Sequence, residues 1–141
     1  MQDSRLTEQR NPKSMEIDKL DVLAIVDLIN AEDRSVANAV GDEREAIARA
    51  IELVEDAFQS GGRLIYVGAG TSGRLGVLDA AEMPPTFGTN PNMVHGIIAG
   101  GYQALVRSQE GAEDLSADGV VAINDLGVSQ RDFVLGIATS G

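Results

Sequence analysis

Cysteine and tryptophan are absent from the 141 residues, and histidine occurs once, at His95. Without cysteine there is no disulfide framework, no thiolate metal site and no thiol nucleophile. A single histidine excludes a histidine-cluster metal centre. Basic residues are scarce: 11 Lys and Arg stand against 22 Asp and Glu, a net charge of −11. That balance disfavours unspecific attraction to nucleic acid or to an anionic membrane, so an anionic ligand has to be held by local geometry. No apolar run approaches the ~20 residues of a membrane-spanning helix, and the Met1-Gln2-Asp3-Ser4-Arg5 start lacks a signal-peptide core. The expectation is a soluble, cytoplasmic protein. What is present is ordinary for a globular chain, 43% hydrophobic and 23% charged, at a length suited to one domain.

The pattern divides the chain into an N-terminal helical segment, 1–60, and a glycine-rich α/β segment, 61–141. Between Asp21 and Val40 apolar residues recur at helical spacing around a polar Asn30-Ala31-Glu32-Asp33 stretch, which predicts two short helices. From Asp42 to Ser60 the spacing of Ile47, Ala50, Ile51, Val54 and Phe58 predicts an amphipathic helix, capped by Asp42 with Glu45 three residues on and stopped by Gly61-Gly62. The period then changes. Leu64 to Val67, Met93 to Ala99 and Phe133 to Ala138 read as strands, with helices around Leu75 to Ala81, Tyr102 to Ser108 and Ala117 to Ile123. Pro84-Pro85 is expected to end the first of these helices. Strands alternating with helices imply a doubly wound parallel sheet, whose ligands sit beyond the carboxyl ends of the strands.

Two loops occupy that position. The first, Gly68-Ala69-Gly70-Thr71-Ser72-Gly73-Arg74, joins a strand to a helix. Its glycines admit close approach, the helix start offers unpaired N–H groups, and Thr71 and Ser72 add hydroxyls, a combination suited to phosphate. The second repeats the hydroxyl pattern as Thr139-Ser140-Gly141. Gly68, Gly70 and Gly73 also match a dinucleotide fingerprint, but the ribose-binding acid expected at the end of the second strand is replaced by Ala99-Gly100-Gly101. One phosphate clasped from two sides accounts for both turns; ordinary tight turns would also produce them. Arg74 meets either that phosphate or a surface carboxylate. His95 alternates with Val94 on a strand and reads as structural.

Gly61 to Gly76, then Leu78-Asp79-Ala80-Ala81-Glu82-Met83-Pro84-Pro85-Thr86-Phe87-Gly88, closely resemble the N-acetylmuramic acid 6-phosphate etherases. Thr7 to Pro12, Ile97 to Gly101 and Glu110 to Asp114 carry the same resemblance. Ala81 and Met83 depart from the Ser and Cys usual around the family's glutamate, without removing a group the chemistry requires. The resemblance implies a sugar-isomerase (SIS) fold, a homodimer, no metal and no cofactor. It implies cleavage of the lactyl ether of N-acetylmuramate 6-phosphate by elimination and hydration, giving N-acetylglucosamine 6-phosphate and D-lactate.

By the same resemblance Glu82 is the proton donor to lactate and Glu113 the base at carbon 2, while the two loops themselves put Gly70, Thr71, Ser72, Gly73, Arg74, Thr139 and Ser140 forward as the residues that hold the phosphosugar. On the residues alone, Glu82 before the double proline suits a protonated carboxyl or an ordinary solvent-facing glutamate, and Glu113 lies in an acidic turn with Glu110 and Asp114. Family members are about twice as long, so the chain is expected to be a fragment whose SIS domain is incomplete at its C-terminus. A noncatalytic phosphosugar-binding regulator is the alternative; a dinucleotide oxidoreductase is disfavoured by the missing ribose acid.

Overall fold

The computed structural model describes residue 7 and residues 9–139. Glu8 of the N-terminal motif, and Ser140 and Gly141 of the second hydroxyl turn, lie outside the described residues. Contacts divide the described chain into two compact units, one reaching to Ala50 and the other running from Ile51 to Thr139.

In the first unit, Asn11 accepts from the Lys13 backbone N–H and starts a 3₁₀ turn, Pro12–Ser14. The side chains of Asn11 and Lys13 then donate to Glu32 at 2.7 and 2.6 Å. Helix α1, Val22–Asp42, starts where the Asp21 carboxylate accepts from Ala24 N–H at 2.8 Å. It is one helix and not two. The polar stretch 30–33 contains no proline or glycine, and Asn, Glu and Asp each cost at most ~0.7 kcal/mol in a helix interior, too little to break it.

Helix α2, Arg44–Gln59, follows after the single residue Glu43. Asp42 does not cap it, because Asp42 closes α1; with Gly41 the last glycine before residue 61, only Glu43 leaves helical geometry. The expected stop is observed. Gly61 takes a positive φ of 72°, its N–H reaches Phe58 O at 3.0 Å, and Gly62 N–H reaches Ala57 O at 2.8 Å. These two crossed bonds satisfy carbonyls that the last helical turn leaves open.

The second unit is α/β. Strands β1 (Leu64–Gly68), β2 (Val94–Ile98) and β3 (Phe133–Ile137) form a parallel sheet in the order β2-β1-β3. Gly68 pairs with Ile98 on one side and with Ile137 on the other, so all three strands end level. Having passed from β1 to β2, the chain crosses to the far side for β3, which makes the crevice at the carboxyl ends of β1 and β3 the topological switch point. Ile65, on the central strand, is fully buried, and Leu64, Val94, Ile98, Ala57 and Ala104 are the other buried apolar residues among those described.

Helix α3, Gly70–Phe87, lies on β1 and β2. Glycines set the spacing: a Cβ on Gly96 would fall 2.6 Å from Val77 Cα, one on Gly76 2.7 Å from Tyr66 Cβ, and one on Gly73 2.5 Å from Gly68 O. The prolines do not end this helix. Pro84 and Pro85 withhold only the N–H groups that would serve the carbonyls of Ala80 and Ala81, their fixed φ already matches a helix, and Gly88 N–H closes the final turn on Pro84 O at 2.9 Å. Short α4, Gln103–Val106, and α5, Ser116–Asp125, complete the unit. At the amino ends of the strands the Arg63 guanidinium grips Asp132 and joins β1 to β3.

Candidate functional site

The first loop is shorter than its sequence suggests, because α3 begins at Gly70 and places Thr71 and Ser72 in the first helical turn. Ala69 precedes it in an extended conformation and provides no side-chain cap. The first intrahelical bond found there runs from Gly73 N–H to Ala69 O at 3.2 Å. The N–H groups of Gly70, Thr71 and Ser72 therefore precede the helical ladder and point beyond the carboxyl ends of the strands, where the helix dipole is positive. Gly68 and Gly73 have a steric reason to be glycine: backbone meets backbone between strand end and first turn, at 2.8 Å from a Gly68 Cβ to Gly73 N.

The second turn leaves the sheet next to it. Ile137 pairs with Gly68, so Ala138 and Thr139 emerge at the switch point beside Ala69 and Gly70, and Thr139 is exposed. Arg74, also on the first turns of α3, is half-buried and gives its Nε–H to Leu105 O at 3.1 Å. One of its donors is thus committed to the end of α4.

On the other side of β1 a cleft of about 520 Å³ opens between the ends of β1 and β2 and the segment 112–122. Gly68 and Ala69 form its edge nearest the first loop, Ile97 and Ala99 its floor, and Glu113 and Leu115 its far wall. Glu113 is exposed in a 3₁₀ turn, Ala112–Asp114, entered through Gly111 at a φ of 73°. The structure therefore brings Glu113 to the loop that the glycines shape. Gly119 and Ala122 of α5 also line the cleft, one helical turn apart, and nothing in their local sequence marks them as site residues.

Glu82 is not brought there. It lies on α3 eleven residues beyond Thr71, about 16 Å along the helix at 1.5 Å per residue, toward the amino ends of the strands. It is exposed and does not line the cleft. One turn earlier on the same face, Asp79 accepts from the Tyr66 hydroxyl at 2.8 Å. Partial burial, then that bond, pushes the Tyr66 phenol up to about 12. His95 shares a ring nitrogen with Asn92 O at 3.1 Å, at the start of β2. Among the described residues no group of three or more acidic or histidine side chains could hold a metal ion, and no helix is long and apolar enough to cross a membrane.

A family model described as the glucokinase regulatory protein N-terminal SIS domain matches residues 45–141. Curated relatives similar to the chain include three N-acetylmuramic acid 6-phosphate etherases. That of Synechocystis is 54% identical over 136 residues, that of Salinibacter ruber 57% over 135, and that of Actinobacillus pleuropneumoniae serotype 7 55% over 136. Each match takes in 96% of this chain but only 45%, 43% and 45% of the relative. The chain thus spans about half the length of the curated relatives it matches.

Proposed function

We propose, from the premise that the chain belongs to the family of glucokinase regulatory protein N-terminal SIS domains, that it forms the phosphosugar-binding part of an N-acetylmuramic acid 6-phosphate etherase. The observation that carries this is the uncapped start of α3 beside a cleft with a carboxylate on its far wall. The N–H groups of Gly70 to Ser72, with the Thr71, Ser72 and Thr139 hydroxyls, take the phosphate. Ser140, beyond the described residues, belongs with Thr139 in the same reading. The sugar then extends along the cleft toward Glu113.

The chemistry is that of a carbon–oxygen lyase. Glu113 removes the proton at carbon 2 of the open-chain sugar, next to the aldehyde. A second carboxyl, that of Glu82, protonates the lactyl oxygen as its bond to carbon 3 breaks; the same group then takes a proton from the water that adds at carbon 3, while Glu113 returns its proton to carbon 2. A positioned acid or base contributes roughly 10²–10⁴-fold. Every proton is moved by a side chain, so the reaction needs no metal and no nicotinamide, and a cytoplasmic homodimer is the working form. A regulator that only senses the phosphosugar needs neither carboxyl, and the presence of both favours the enzyme.

The test is to give the protein N-acetylmuramate 6-phosphate and follow D-lactate together with deuterium uptake at carbon 2. Glu113→Gln should suppress both. Glu82→Gln should stop lactate release while exchange continues, because a base alone can form and reverse the carbanion-like intermediate. Binding of the phosphosugar with no lactate from the unmodified protein would leave the regulator; normal release by both variants would remove both glutamates from the chemistry.

A further inference from the structure

We propose that Arg74 is a positioning residue for Glu113: through its hydrogen bond to the Leu105 carbonyl it holds the segment 102–114, which carries that carboxylate to the cleft. The inference rests on the etherase reading for the task it gives Glu113, and on geometry for the rest. The segment leaves β2 through Gly100 and Gly101, at φ of 81° and 66°, and enters the Glu113 turn through Gly111 at 73°. Glycines at these points leave the backbone little resistance to rotation. Packing does little to compensate. Ala104 is buried, but Tyr102 and Val106 on either side are exposed, and Gln109 lies only against Gly100, at the segment's own root.

Hydrogen bonding supplies the anchor. Among the described residues, the bond from Arg74 Nε–H to Leu105 O, at 3.1 Å, is the one that ties 102–114 to a residue outside 100–118. Helix α4 spans only four residues, so the Leu105 carbonyl has no intrahelical N–H to meet, and Arg74 fills an acceptor that would otherwise stay open. The donor stands on the firmer element. Gly73 and Gly76, to either side of Arg74, seat α3 directly against β1, so the bond transfers the fixed position of α3 to a segment with few ties of its own. Because the acceptor is a neutral carbonyl, position 74 has to offer an N–H at that distance and not a charge.

That distinction sets the test. Glutamine carries its amide nitrogen as many bonds from Cα as arginine carries Nε, without the charge, and methionine matches the length with no donor. With N-acetylmuramate 6-phosphate in deuterated buffer, Arg74→Met should slow deuterium uptake at carbon 2 by roughly 10²-fold, the scale of a misplacement of about 1 Å. Arg74→Gln should recover most of that loss, and calorimetry should find the affinity for N-acetylglucosamine 6-phosphate unchanged in both. Undiminished uptake in Arg74→Met, an equal loss in both variants, or weakened affinity in both overturns the proposal, the last by giving Arg74 to the phosphate. Amide hydrogen exchange reads the anchor without the chemistry. It should quicken across 102–114 in Arg74→Met, much less in Arg74→Gln, and stay unchanged in β1. Equal protection of the segment in all three proteins, or a loss that extends to β1, refutes a local anchor. If the unmodified protein takes up no deuterium at carbon 2, the etherase reading fails by itself, and amide exchange alone decides whether Arg74 holds the segment.

Discussion

Replacing Asp132 by Asn should unfasten the amino ends of β1 and β3 at a cost far above that of a surface ion pair. The Asp132 side chain is 3% exposed, and that of its partner Arg63 24%. Its carboxylate accepts from Arg63 N, Nε and Nη2 at 2.8, 3.0 and 3.0 Å, and from Ser129 N and Oγ at 2.8 and 3.1 Å. Asn keeps the volume and one oxygen. Whichever way its amide turns, an NH₂ group faces donors and leaves a guanidinium partly buried without its counter-charge. Breaking such a pair by removing one partner costs about 3–5 kcal/mol, against a total stability of roughly 5–15 kcal/mol. At about 3–4 °C per kcal/mol for a chain of this size, the melting temperature should fall by roughly 10–20 °C.

The pH dependence adds a second check. The Arg63 guanidinium, helped by Ser129, holds the Asp132 carboxyl well below the usual carboxylate range. A depressed carboxyl stabilises the fold above its unfolded value of ~3.9 and loses that contribution as acid protonates it. Unfolding curves of the native and Asp132→Asn proteins should therefore be well separated near neutrality and converge below about pH 4. A loss below ~1 kcal/mol at neutral pH, the range of an exposed ion pair, would refute the assignment of a buried clamp.

Gly96→Ala should lower the urea midpoint by the equivalent of ~1–3 kcal/mol or more, since the new methyl would meet Val77 backbone at 2.6 Å; an unchanged midpoint would mean that α3 stands further from the sheet. Ser72→Ala should weaken phosphosugar binding by the ~1.5–3 kcal/mol of a hydrogen bond to a charged group, with the far-ultraviolet spectrum unchanged; calorimetry finding equal affinity would take Ser72 out of the site. In a Tyr102→Phe background only Tyr66 contributes phenolate absorbance, which should rise at about pH 12. Because the folded value is raised, Tyr66 stabilises the fold below its unfolded value of ~10 and loses that contribution as pH climbs toward the folded one, so Tyr66→Phe should flatten alkaline unfolding. Lactate release should survive exhaustive chelation, and restoration of a lost activity by added metal would contradict a mechanism run by carboxyls.

Local chemistry carried most of the fold into view. Short apolar runs with β-branched residues marked β1 and β3 to within a residue, because a buried parallel strand has few other compositions open to it. Strand order was not readable, since β1 becomes central only through pairings of distant segments. The same holds for Arg63 and Asp132, separated by 69 residues and each unremarkable in its own neighbourhood. Two helix boundaries were misjudged for different reasons: the polar stretch 30–33 costs too little to break α1, and the packing of α3 on β1 and β2 carries that helix through Pro84-Pro85. In the candidate site, the glycine loop was legible as a turn at a strand end, whereas Glu113, in an acidic turn beyond α4, was singled out only by the family resemblance. Glu82 could not be placed relative to either, because its place depends on how far α3 runs back along the sheet.

The glycine seam under α3 has a mechanical consequence. With Gly73, Gly76 and Gly96 letting backbone rest almost directly on backbone, the helix has little slack to slide or roll on β1 and β2. It behaves as a stiff strut laid across two strands. A load applied at its amino end is not absorbed by a local shift of the first turn; it passes along the whole helix and into the sheet beneath it.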